Sequence, residues 1–428
     1  MTDDDAATAA GGWWRRTFVS LGVRNYRLFF FGQLISNSGN WLTMVAVTLL
    51  VLHRAHSGFA VGLLSACMFG PMLFFSPFAG VVADRSDKRK LLYVTQSAEM
   101  TQSIVLAILA FIPSSPLWAF FLVAFFGGCM LAFDNPALRS FVNEMVPPRL
   151  VPNAVTLYSA LVNLSRLIGP SLAAALIVAV GYGWCFSIDA ASYVTVLIAL
   201  ALMRPSELRE TQRTPRGRGQ VRAGLRYVLE VPELRIVFLL QLIVGVVSYN
   251  FTVALPLFVE RGLHGSDAEF SLVYAVFSAG AVLGTLAIAR QSTVRLRTTV
   301  ISTAALGVTM TVMTFVPNIA LAYPASALVG ATSVAFLTTT TSLVQLRSDE
   351  RMVGRVLALQ TVVLIGTTPV GGPIIGLLAD ASGGRAPMLL GGLGSLVAAG
   401  VGVVLGRRRL AVGGRTTGEQ PEPVEAAS

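Results

Sequence analysis

The sequence predicts an all-α membrane protein of twelve transmembrane helices in two six-helix bundles, and three observations carry that expectation. Of its 428 residues 54% are apolar and 13% charged, with a mean hydropathy of +0.69, whereas a soluble domain carries about 25% charged residues. A chain this poor in charge cannot wet its own surface, so lipid must be the solvent for most of it. The apolar residues fall into twelve runs of the length a helix needs to cross a bilayer, about 20 residues. The basic residues then segregate to alternate loops between those runs.

In chain order, spans 1 to 6 are predicted near 26–52, 58–83, 90–113, 117–142, 153–179 and 184–203, and spans 7 to 12 near 234–259, 268–289, 297–316, 319–344, 352–379 and 386–406. Turn chemistry separates them at Pro113-Ser-Ser-Pro116, Pro147-Pro148, Gly181-Tyr-Gly183, Pro317-Asn318 and Ser382-Gly-Gly384. The first run is longer than the apolar core of a cleavable signal and follows a polar lead, so no cleavage is expected. With both termini on one side, 28 of the 32 basic residues fall on that side, and only Arg54, Arg261 and Arg385 fall opposite. Arg166 lies within a span. The positive-inside rule makes the basic side cytoplasmic, and a wrong span count would scramble the split.

This divides the chain into a cytoplasmic lead (1–25), an N-terminal bundle (26–203), a basic linker (204–233), a C-terminal bundle (234–406) and a polar cytoplasmic tail (407–428), with both extreme ends expected to be disordered. Within the linker, Val221, Leu225 and Val228 recur at helical spacing beside Arg222 and Arg226. They suggest an amphipathic helix on the inner membrane face, where anionic lipid attracts arginine; a plain basic linker is the alternative. The halves also echo one another, with Gly169-Pro170 inside span 5 and Gly371-Gly-Pro373 inside span 11. Repeats of six and six are a transporter architecture with the substrate site between halves at mid-membrane.

The residue inventory excludes several chemistries. The only lysines, Lys88 and Lys90, follow no glycine-rich loop, so a phosphate-cradling Walker motif is absent. His53, His56, His264 and Cys67, Cys129, Cys185 lack the paired spacing of a metal or redox site. His53 and His56 beside Arg54 read as a solvated loop. The net charge of +10 belongs to the short loops rather than to a nucleic-acid surface. No catalytic constellation, metal or organic cofactor is expected.

The loop Gly80-Val-Val-Ala-Asp84-Arg85-Ser-Asp-Lys88-Arg89-Lys90 resembles the signature between spans 2 and 3 of the major facilitator superfamily, departing from it at Asp87, where a second glycine is usual. Gly80 permits close helix approach, Asp84 can pair at a helix end, and Arg85, Lys88 and Arg89 keep the loop in the cytoplasm. The resemblance runs through Asn25-Tyr26-Arg27, Ala132-Phe-Asp134-Asn-Pro136, Asn153-Ala154, Arg166-Leu-Ile-Gly169-Pro170 and Gly224-Leu-Arg-Tyr-Val228 to the subgroup of macrolide-efflux and enterobactin-exporter proteins. Gly169-Pro170 is similar to a span-5 motif of exporters. The resemblance implies export of amphiphilic drugs, siderophores or secondary metabolites driven by a proton gradient; a bacterial inner-membrane location and a monomer are expected.

An ionisable group inside a membrane costs about 2.5–3.5 kcal/mol on insertion scales and so marks a functional candidate. Asp134 and Arg166, on adjacent spans, are expected to form an ion pair, either proton-sensitive or merely structural. Glu99, flanked by Gln96 and Gln102, reads as a proton-uptake site or an interhelical hydrogen-bonding group. Asp189 reads as a capping group near the outer surface. On span 1, Gln33, Asn37, Asn40, Trp41 and Met44 share one face. By analogy with the family's cavity-lining spans, Tyr249, Asn250 and Thr338 join them as substrate candidates. Such a cavity suits an amphiphile better than a fixed anion. An importer, a non-transporting membrane sensor and, third, a lipid transferase are the alternatives.

Overall fold

The computed structural model describes residues 17–209, 220–289, 294–349 and 352–412. The expected disorder of the two ends falls largely on residues 1–16 and 413–428, outside that set. Among the described residues there are twelve helices long and apolar enough to cross a membrane. Spans 1 to 6 are Arg24–Ala55, Gly58–Arg85, Lys88–Phe111, Leu117–Met145, Val151–Val180 and Tyr182–Leu202. Their ends match local chemistry. Ser57 caps span 2 by accepting from the Ala60 amide, and Asp87 caps span 3 by accepting from the Lys90 amide. Asp87, where the family usually has a second glycine, is thus the residue that starts a helix. Gly181 turns the chain between spans 5 and 6 at φ 80°, a left-handed region open to glycine.

Spans 8, 9, 10 and 12 are Asp267–Ala289, Leu296–Thr314, Ile319–Arg347 and Ala386–Val412. Spans 7 and 11 are not continuous helices. Span 7 runs Pro232–Val247, breaks at residues 248–250, resumes over Phe251–Leu257 and ends in a π turn at Phe258–Gly262. Span 11 runs Val353–Gly366 and Thr368–Ser382, and its interruption lies beside Pro369, which has no N–H to donate to the preceding turn.

Each half packs as a bundle: span 1 on spans 5 and 6, span 3 on spans 4 and 6, span 9 on spans 10 and 12. The halves meet along two seams, span 2 against span 11 and span 5 against span 8. The linker forms the expected helix, Gln220–Glu230. It packs on the C-terminal half, with Val228 buried, Gly224 against Arg355, and the Tyr227 hydroxyl accepting from the Asp349 amide; Leu225 and Leu229 remain exposed.

Candidate functional site

Three carboxyl groups lie deep in the N-terminal bundle. Thr95, Gln96, Glu99 and Ser103 fall on one face of span 3 by their spacing of three and four, and that face is turned to spans 4 and 6. Asp134 of span 4 accepts hydrogen bonds from Thr95 Oγ1 (2.6 Å) and Gln96 Nε2 (2.9 Å). Gln96 Nε2 lies 3.5 Å from Glu99 Oε2, and Glu99 is hydrogen-bonded to the Tyr193 hydroxyl of span 6. Asp189 of span 6 accepts from Ser103 (2.7 Å) and from Thr43 of span 1 (2.8 Å). Glu99, Asp134 and Asp189 are at most 4% exposed. Glu99 Oε1 and Gln96 Oε1 are buried without a partner. At Asp189 a cavity of about 30 Å³ is lined by Asn40, Thr43, Gln102, Ser103, Asp189 and Tyr193 together with apolar side chains such as Met44 and Leu106, and it is large enough for a water molecule.

Two expectations are corrected here. Asp134 and Arg166 do not pair, because Asp134 faces span 3 while Arg166 faces away from it; among the described ion pairs none includes Glu99, Asp134 or Asp189. Asp189 is no surface cap. It is buried against span 1, where Gly39 has no side chain to exclude it. Neither fact follows from depth along the chain; both depend on helix rotation.

Arg166 lies midway along span 5, where the two halves meet. Its guanidinium carbon is 5.3 Å from the ring centre of Trp41 and 5.8 Å from that of Phe277 in span 8, and Tyr274 hydrogen-bonds it. Gly169, one turn on, sets this geometry. A side chain there would meet the Ser38 carbonyl at 2.7 Å, so only glycine lets span 5 lie on span 1 beside Trp41. Pro170 is buried in the same contact.

The other cavity candidates separate. Gln33 is buried and accepts weakly from Asn37 at 3.4 Å. Tyr249 is half-buried, edge-on to Phe251 (5.4 Å), and Thr338 is half-buried in span 10. Asn250 Nδ2 donates to the carbonyls of Gly245 (3.0 Å) and Val246 (2.9 Å), tying off the break in span 7, while its Oδ1 is buried without a partner. In the loop signature, Lys88 pairs with Glu144, and Arg89 Nε donates to the Leu200 carbonyl at the end of span 6 (2.8 Å). Gly80 is buried and Arg85 exposed; the side chain of Asp84 lies outside the described residues.

Residues the sequence reading passed over close the face opposite the basic loops. Asp380 of span 11 accepts from the amides of Gly58 (2.6 Å) and Phe59 (2.9 Å) and from the Ser57 hydroxyl (2.9 Å), and it pairs with Arg261 (2.6 Å). His53 is not a solvated loop residue. It ends span 1 with Nδ1 2.7 Å from the Tyr182 hydroxyl and Nε2 3.4 Å from Asp267 of the other half. Tyr182 itself donates to Asp267. Below this, Gly58 and Gly62 of span 2 face Gly376 and Gly372 of span 11. The two Gly-x-x-x-Gly repeats, at Gly58–Gly62 and Gly372–Gly376, are the signal that betrays this close helix contact. Among the described residues, the polar contacts joining the halves lie at this face, apart from that of Tyr274 with Arg166 at mid-membrane, and none is described at the basic face.

Comparison with known proteins points one way. A family model described as transmembrane secretion effector matches residues 16–414. The multidrug efflux pump Tap of Mycolicibacterium fortuitum is 26% identical over 89% of this chain and 96% of its own length. Macrolide efflux protein A of Streptococcus pyogenes is 22% identical over 86% of this chain and 93% of its own. The staphyloferrin A transporter of Staphylococcus aureus is 23% identical over 61% of this chain and 66% of its own. Among solved structures, a bacterial homologue of the lysosomal transporter Spinster, inward-facing and occupied, superposes with TM-score 0.71 at 16% identity, covering 93% of this chain and 99% of that one. A POT family transporter in complex with 5-aminolevulinic acid gives TM-score 0.73 at 12% identity, over 90% and 96%.

Proposed function

The chain belongs to the transmembrane secretion effector family of the major facilitator superfamily, a transporter and not an enzyme, and from that premise we propose that it is a proton-coupled exporter of amphiphilic small molecules working by alternating access. The observation that carries the coupling is the buried trio Glu99, Asp134 and Asp189. Gln96 bridges Asp134 and Glu99, Asp189 is held by Thr43 and Ser103 and lines a water-sized cavity, and none of the three has a basic partner among the described residues. A buried ionisable group of this kind marks a proton path.

Charge and closure bear on the orientation, and the relatives bear on the direction. The positive-inside rule favours a cytoplasmic basic face, and in this reading the sealed face is external. Cargo enters from the cytoplasm, and closure on it opens the seam of Asp380 and Tyr182. Efflux activity in the names of two relatives supports the same direction. The chain is expected to act as a monomer, since both seams lie within one chain.

The test is transport in inside-out membrane vesicles, where export appears as uptake. Vesicles energised to an acidic interior are expected to accumulate an amphiphilic compound from a panel of macrolides, cationic dyes and siderophores, and a protonophore is expected to abolish it. Uptake only in right-side-out vesicles would identify an importer instead, and uptake insensitive to the protonophore would remove proton coupling.

A further inference from the structure

Arg166 is a permanent cation at mid-membrane with no carboxylate paired to it among the described residues. The three buried acids of the same half are committed elsewhere, to Thr95 and Gln96, to Tyr193, and to Thr43 and Ser103. What surrounds Arg166 is aromatic: Trp41 from span 1, Phe277 and Tyr274 from span 8, and Tyr249 near enough in span 7 to interact with its charge. Its Nε is buried with no hydrogen-bond partner. Ring faces and the Tyr274 hydroxyl offset only part of the desolvation of a guanidinium, and the buried Nε donor is left with no acceptor.

We propose that Arg166 is the anchor of the cargo site and that its missing counter-ion is carried by the cargo: a single carboxylate on an apolar, ring-bearing body that stacks against Trp41, Phe277 and Tyr274. A guanidinium binds a carboxylate through two parallel hydrogen bonds. The aromatic walls come from both halves, so a molecule held there contacts the two bodies that must rock about it. The single positive charge sets the ligand at one negative charge, narrowing the amphiphile expected from the sequence to an amphiphilic organic monoacid. This rests on the reading of the chain as a transporter.

The test is equilibrium binding to the full-length protein in lipid nanodiscs, with no gradient, read by quenching of tryptophan fluorescence. The probes are an aryl carboxylic acid, 1-naphthaleneacetic acid, and its neutral isostere, 1-naphthaleneacetamide. Wild type is expected to bind the acid about ten- to a hundred-fold more tightly than the amide, the range of a charge-assisted pair. Arg166→Gln is expected to bind both equally and weakly, while Arg166→Lys keeps a preference for the acid. A preserved acid preference in Arg166→Gln overturns the proposal. So does equal binding of the two probes by wild type, or no binding of the acid at all. Because the assay needs no flux, a failure here is separate from a failure of vesicle uptake.

Discussion

The Asp380 carboxylate near the end of span 11 accepts a 2.6 Å hydrogen bond from the Gly58 amide that opens span 2. One residue thereby holds the first turn of a helix in the opposite half, because the free amides and positive dipole end of that helix meet a fixed negative charge. The bond exists only while this face is closed, so under the proposed alternating access it weights the equilibrium between the two open states.

Replacing Asp380 by Asn removes that charge and leaves the shape. A hydrogen bond to a charged group contributes about 1.5–3 kcal/mol, and partial exposure places Asp380 at the low end. The outward-open population should rise about ten-fold. Spin labels at the external ends of spans 2 and 11 should then report a larger fraction of long distances; an unchanged distribution would remove Asp380 from the seam.

The glycines beneath Asp380 predict an asymmetry. A side chain at Gly62 would lie 2.6 Å from the carbonyl carbon of Gly372 and 2.7 Å from Pro373 Cα, whereas one at Gly372 would lie 3.1 Å from the Gly62 carbonyl oxygen. Backbone cannot retreat as a flexible side chain can. Gly62→Ala should therefore hold the halves apart and reduce transport several-fold, while Gly372→Ala, with its single milder backbone contact, should cost less. Equal effects in a transport assay at matched expression would contradict this seam geometry.

Separation of Asp134 from Arg166 gives a third prediction. Asp134→Asn and Arg166→Gln should be additive in thermal unfolding to within about 0.5 kcal/mol, as for residues that share no partner. Asp134→Asn combined with Thr95→Val should couple by about 1 kcal/mol, the net value of a hydrogen bond. Coupling in the first cycle and none in the second would restore the ion pair expected from the sequence.

What was legible in the sequence, and what was not, divides along a physical line. Hydropathy and basic-loop asymmetry are one-dimensional signals, and they placed all twelve spans within a few residues of the helices observed. They also named Glu99, Asp134 and Arg166 as unusual, since depth along a span is countable. Which neighbour a side chain faces depends on helix rotation and packing, which is why Asp134 was assigned to Arg166 rather than to Thr95. Asp189 was likewise given to the surface, although Gly39 opens a buried place for it. The seam was harder still, because Gly62 and Gly372 come from opposite halves of the chain. Breaks in spans 7 and 11 had weaker signals, in Ser248-Tyr-Asn250 and in Thr367-Thr-Pro369.

The central claim, that buried carboxyl groups couple proton movement to export, is tested most directly by proton flux in liposomes holding the purified protein, with wild type beside Glu99→Gln and Asp134→Asn. Addition of a transported amphiphile should drive proton movement in the wild type, and either variant should lose it while still binding the compound. Undiminished compound-dependent proton movement in both variants would contradict the assignment of these carboxyls.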